Sequence, residues 1–130
     1  MTMDFQVRRL LAGAAGIGFA CAAAAAPAGA WIERELKPAA LHEECMTLAP
    51  GNRLEYAFST PGKLDFNIHY HAGKDVHYPV FGKDAQKLEG NFRPVLKQDY
   101  CMMWSNPGAV PAQFRYRFVV HADDPAVEKK

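Results

Sequence analysis

Leu64-Asp65-Phe66-Asn67-Ile68-His69-Tyr70-His71 alternates apolar and polar side chains without a break. Successive side chains leave a β-strand on opposite faces, so this period of two marks a strand with one face buried. It places Leu64, Phe66, Ile68 and Tyr70 on a core face and Asp65, Asn67, His69 and His71 on a solvated one. Upstream, residues 53–59 alternate in the same way, with Leu54, Tyr56 and Phe58 inward. Between the two, Ser59-Thr60-Pro61-Gly62-Lys63 carries a Pro-Gly turn signal and predicts a hairpin-like connection.

Working downstream, Ala72-Gly73-Lys74-Asp75 reads as a turn. Residues 76–81 read as an edge strand, because Pro79 lacks the N–H that a central ladder needs. Residues 90–97, 99–105 and 113–121 supply further strands, the last with Phe114, Tyr116, Phe118 and Val120 opposite Arg115 and Arg117. Residues 32–44 are broken by Pro38 and fit either a short helix or an extended lead-in. Short strands separated by turn signals, with little helical period, predict an all-β fold, an antiparallel β-sandwich.

The chain of 130 residues suits one domain of about 100–200 residues. Its 49% hydrophobic and 22% charged composition is that of a folded protein. The formal charge of +1, with no dense basic block, argues against a nucleic-acid partner. Composition breaks near residue 30. Arg8 and Arg9 precede an apolar run over residues 10–26, and Ala28-Gly29-Ala30 ends it. Residues 1–30 therefore read as a secretory signal peptide with a mature start at Trp31. An uncleaved anchor is the competing reading, disfavoured because the run is rich in alanine and weakly apolar. Gly18 stands where a lipoprotein signal has leucine, which argues against lipidation of Cys21, and Arg8-Arg9 also admits twin-arginine export. Residues 31–122 then form the sandwich, with no membrane span in the mature chain, and residues 123–130 form a polar tail. The mature part keeps two cysteines, Cys45 and Cys101. An even pair in an oxidising compartment predicts a disulfide, and the alternative is two free thiols with one of them a metal ligand.

Several short motifs resemble the GOLD (Golgi dynamics) domain, in the form of the lumenal domain of early-secretory-pathway cargo receptors. They are Glu43-Glu44-Cys45, Leu54-Glu55-Tyr56-Ala57-Phe58, Leu64-Asp65-Phe66-Asn67-Ile68, Gly90-Asn91-Phe92 and Tyr100-Cys101-Met102-Met103-Trp104-Ser105-Asn106. The likeness covers most of residues 41–120. It implies a jelly-roll-related sandwich, a protein-binding or lipid-binding habit without catalysis, Cys45 and Cys101 as the family's disulfide pair, and Tyr100, Ser105 and Asn106 in its terminal strand and turn. The chain departs from the family in one spacing: its second cysteine usually lies three residues after the tyrosine, whereas Cys101 follows Tyr100 directly. A two-residue shift keeps the same strand face, so the bridge is compatible with it. These 130 residues offer no match to the family's downstream helix and transmembrane anchor, so coat recruitment and vesicle cargo transport are not expected to carry over with the resemblance.

The histidines and methionines carry the chemistry that is local to this chain. His69 and His71 leave one strand face two residues apart, a spacing that suits imidazole chelation. His77 lies just past the 72–75 turn, in position to fold back beside them, and Met102 and Met103 offer thioethers. Imidazole with soft sulfur would suit copper, and nitrogen with a carboxylate would suit zinc. The competing reading makes the histidines a solvated face and the methionines core filler. No nucleophile motif or phosphate loop accompanies these residues, so an enzyme is not expected. The sequence thus points to an exported, non-catalytic protein, periplasmic if bacterial, that binds a protein or small ligand, or alternatively copper or zinc through His69, His71, His77, Met102 and Met103.

Overall fold

The computed structural model describes residues 29–123 and Gly16. The signal-peptide reading of residues 1–30 and the tail reading of 123–130 therefore lie, but for Gly16, Gly29, Ala30 and Asp123, outside the described residues. Six strands follow one another: β1 (Ile32–Leu36), β2 (Leu41–Leu48), β3 (Arg53–Ala72), β4 (Asp75–Phe92), β5 (Gln98–Ser105) and β6 (Ala112–His121). All their pairings are antiparallel, and no helix occurs among the described residues. The expected all-β class is the observed one.

The expected turn at residues 59–63 is instead a bend within one continuous strand. Ser59 pairs with Lys87 and Leu64 with Ala85, so Thr60, Pro61, Gly62 and Lys63 stand against Gln86 alone. Extra residues on one strand of a pair bend it sharply. Thr60 holds the bend: its hydroxyl donates to the Gln113 carbonyl at 2.7 Å and accepts from the Gly62 N–H at 3.2 Å. The bend also exchanges β3's partner. Arg53–Ser59 pairs with β6, and Asp65–His69 pairs with β5. The strand order β1-β6-β3-β5-β2, with β4 along the other side of β3, is thereby folded into two facing layers.

The inward residues read from the sequence meet between these layers. Leu54, Phe58, Leu64, Phe66, Ile68 and Tyr116 are fully buried. Phe66 from the second half of β3 lies 5.3 Å from Tyr56 and 5.4 Å from Phe58 of the first half. Trp104 of β5 lies 4.5 Å from Tyr116 of β6, measured between ring centroids. Such offset and tilted ring pairs add to their area burial.

The ambiguous residues 32–44 are two strands, joined at Pro38 by a turn in which the Ala40 N–H donates to the Lys37 carbonyl at 3.0 Å. Gly73 and Lys74 connect β3 to β4, and Gly73 has φ +62°, the left-handed first position that a type II′ hairpin gives to glycine. Residues 93–97, expected as strand, connect β4 to β5. Asn106 ties that end of the molecule together. Its amide donates to the carbonyls of Leu36 and Val110, and its oxygen accepts from the Gly108 N–H.

The second face of Leu64–His71 departs from expectation. Asn67 and His69 are buried, at 6% and 4% exposure, while His71 is exposed as expected. A strand flanked by β4 on one side and β5 and β2 on the other receives side chains from all of them, and these cover its centre.

Candidate functional site

The outer face of the layer formed by β2, β5 and the second half of β3 is built in register. Cα partners in an antiparallel ladder share a face, so Glu43, Met103 and Asn67 form one row, and Cys45, Cys101 and His69 form the next. Cys45 and Cys101 are joined as a disulfide directly across β2 and β5. Their oxidation removes them as thiolate ligands. Glu43, Cys45 and Cys101 are also the donor group that gathers within 4.8 Å among the described residues, but a cystine and one carboxylate make a poor cation cage.

His69 occupies the centre. Its Nδ1 is 2.7 Å from Asn67 Oδ1, and its Nε2 is 3.6 Å from Glu43 Oε1. The His71 ring stands edge-on to it at 5.2 Å, and the Tyr78 ring lies 5.8 Å away. Burial pushes the His69 pKa below the ordinary histidine value; Glu43 opposes this shift and His71 adds to it. Asn67 is thus a positioning residue for the imidazole. Asn67→Ala should cost about 1–3 kcal/mol, since it strands a buried ring nitrogen. Chemical denaturation of the variant checks this, and a change below about 0.5 kcal/mol, as at an ordinary surface site, would mean that the Asn67–His69 bond contributes nothing.

The predicted metal set is divided by the fold. Pro79 sits in a bulge: Tyr78 and Pro79 both oppose His69, because Ile68 pairs with Val80 and Tyr70 with His77. The two-residue Gly73–Lys74 hairpin pairs Ala72 with Asp75, His71 with Val76 and Tyr70 with His77, so His77 lies on Tyr70's side of the strand, where the two rings stack at 4.9 Å. His77 does not join His69 and His71. Met102 pairs with Ile68 and is 1% exposed in the core, and Met103 shares the outer face with Asn67. The copper-suited arrangement of three histidines and two thioethers is therefore not assembled. Glu43 was not anticipated, because β2 and β3 become neighbours only through β5.

A second polar cluster, also unanticipated, joins β2 to β6. His42 Nε2 lies 3.0 Å from Tyr116 Oη and 3.3 Å from Glu44 Oε1, and the Tyr116 hydroxyl donates a short hydrogen bond to Glu44. Burial first, and then Glu44, raise the Tyr116 pKa far above the ordinary phenol value, so the hydroxyl stays protonated and is a donor rather than a base. The alternation of His42 and Glu44 on β2 was the available signal; their partner lies 74 and 72 residues away. The indole N–H of Trp104, beside this cluster, is buried without a hydrogen-bond partner. Two clefts of about 540 and 460 Å³ flank the β3 bend, lined at Thr60–Pro61 and at Pro61–Lys63, and neither includes a predicted site residue.

No protein-family model matches the chain, and no curated protein does. Solved structures share its fold. PliG of Aeromonas hydrophila, a periplasmic inhibitor of g-type lysozyme, superposes with a TM-score of 0.57 at 8% identity, over 75% of this chain and 90% of PliG. The pre-peptidase C-terminal domain of the Bacillus anthracis collagenase gives 0.54 at 11% identity, over 72% and 90%. At these identities the likeness is one of fold, and function has to be argued from the site.

Proposed function

We propose that this chain is an exported, non-catalytic binding module that engages a protein partner through the outer face of β4. One observation carries the reading. Val76, Tyr78 and Phe81 are 38%, 54% and 59% exposed on that face, which they share with His71, His69 and Asn67. Exposed aromatic residues grouped on one surface are the usual anchors of a protein interface. Among the described residues β4 pairs only with β3, so its other edge offers backbone groups to an added strand. The Cys45–Cys101 bridge supports an oxidising compartment and agrees with the leader-like residues 1–30.

Photocrosslinking from position 81 in the intact cell identifies the partner, and binding of the two purified proteins then tests the face. Phe81→Asp should weaken that binary affinity by at least about tenfold, as loss of an interface anchor does. Equal affinity for the variant and the parent would place the interface elsewhere. A g-type lysozyme is a sensible first probe, because PliG of the same fold inhibits one.

A further inference from the structure

We propose that the protein partner places an arginine guanidinium on this face, held by Glu43, His69 and Tyr78. The inference rests on the reading of the face as a protein interface, and it names the chemistry that the partner brings. Asn67 sets the geometry. Its side-chain oxygen only accepts, so at 2.7 Å it takes the Nδ1–H of His69. Burial holds the His69 pKa below the ordinary value, so near neutral pH Nε2 carries a lone pair and no proton. Glu43 Oε1 lies 3.6 Å from Nε2, beyond the reach of an N–H···O bond. Two acceptors thus stand side by side at a ring that is only 4% exposed, with no donor between them. Among the described residues no lysine or arginine serves them: Glu43 pairs with His69, and both cation–π contacts fall on Trp31.

A guanidinium supplies what the two acceptors lack. Adjacent N–H groups leave one edge of its plane in the same direction, so one bonds the carboxylate and its neighbour the imidazole, each at about 2.7–3.2 Å. Its charge is opposite to that of Glu43, which is open to solvent over 38% of its side chain and therefore reachable from outside. The Tyr78 ring, 54% exposed and 5.8 Å from the His69 ring, offers a π face on which a planar cation stacks. A lysine ammonium would bring the charge without the parallel donors or the flat surface. The exposed Val76 and Phe81 then cover the apolar neighbours of that arginine in the partner.

The test needs no partner. N-acetyl-L-arginine amide is titrated into the tag-free, non-reduced chain and followed by NMR at the His69 and Tyr78 ring signals. The lysine and citrulline counterparts are titrated in parallel, since citrulline keeps the shape of arginine without its charge. Saturable shifts at both rings with a Kd of about 10 mM or tighter, and weaker binding of the other two compounds, support the site. Glu43→Gln, an isosteric change at the rim, should weaken the arginine compound by at least about tenfold, as loss of a charge-assisted bond does, and leave the unfolding midpoint unchanged. A Kd weaker than about 10 mM, equal affinity for the lysine or citrulline compound, or insensitivity to Glu43→Gln overturns the guanidinium site. None of these results bears on the apolar anchors, which stand or fall with Phe81→Asp.

Discussion

Phe66→Ala lowers the unfolding free energy by about 3–5 kcal/mol, the upper part of the range for core truncations. Phe66 is completely buried just beyond the β3 bend, where the two layers come together. Its ring lies 5.3 Å from both Tyr56 and Trp104 and 5.4 Å from Phe58. Those neighbours belong to two stretches of backbone, the first half of β3 and β5, held by separate ladders, so they cannot close on the space that alanine leaves. The cost therefore includes most of the cavity as well as the lost transfer energy. A domain of this size has about 5–15 kcal/mol in all, so the variant is brought close to the unfolding threshold. Urea denaturation reads the effect as a lowered midpoint at unchanged slope. A loss below about 1 kcal/mol would mean that the layers do not meet at this ring.

Loss of the Cys45–Cys101 bridge comes next, at about 4 kcal/mol in the chain-entropy account for a sequence separation of 56. The position of the bridge adds a structural reason. Among the described residues β2 is an outer strand that pairs with β5 alone, and the disulfide fastens the middle of that ladder. Once it is cut, β2 keeps its ladder, the burial of Leu48 in the core and the contacts of His42 and Glu44 with Tyr116. The Cys45→Ala/Cys101→Ala double variant should melt about 15–30 °C lower, taking about 4–8 °C per kcal/mol for a domain near 100 residues. Thiol titration of the unreduced, unfolded chain should find both cysteines blocked, and two reactive thiols would refute the bridge.

The alternation of Leu64–His71 stated its own strand and its core face, because the period of a strand is a property of local backbone geometry. The same holds for Gly73, which relieves a left-handed backbone, and for Pro79, which confines β4 to an edge. The pairing of two cysteines needed only their number and an oxidising setting. Thr60–Lys63 was different. Pro-Gly signals a change of direction, and whether the chain reverses or bends depends on which strands take up its two halves. Here β6 takes the first and β5 the second.

The site residues divide along the same line. That His69 and His71 share a face is local and was legible. That His77 leaves them follows from the two-residue hairpin at Gly73–Lys74, whose register sets His77 opposite Tyr70 and so on the other face. Burial of Asn67 and His69 cannot be read from their own strand, since the polar pattern that suggests solvent is equally that of a covered, hydrogen-bonded row. It follows from side chains delivered by β2, β4 and β5. Glu43 comes within 3.6 Å of His69 only because β5 lies between their strands. The sequence alone determined which side chains share a strand face, since a period of two follows from backbone sterics. The tertiary structure decided which faces meet, because strand order and register are set by pairings between residues far apart along the chain.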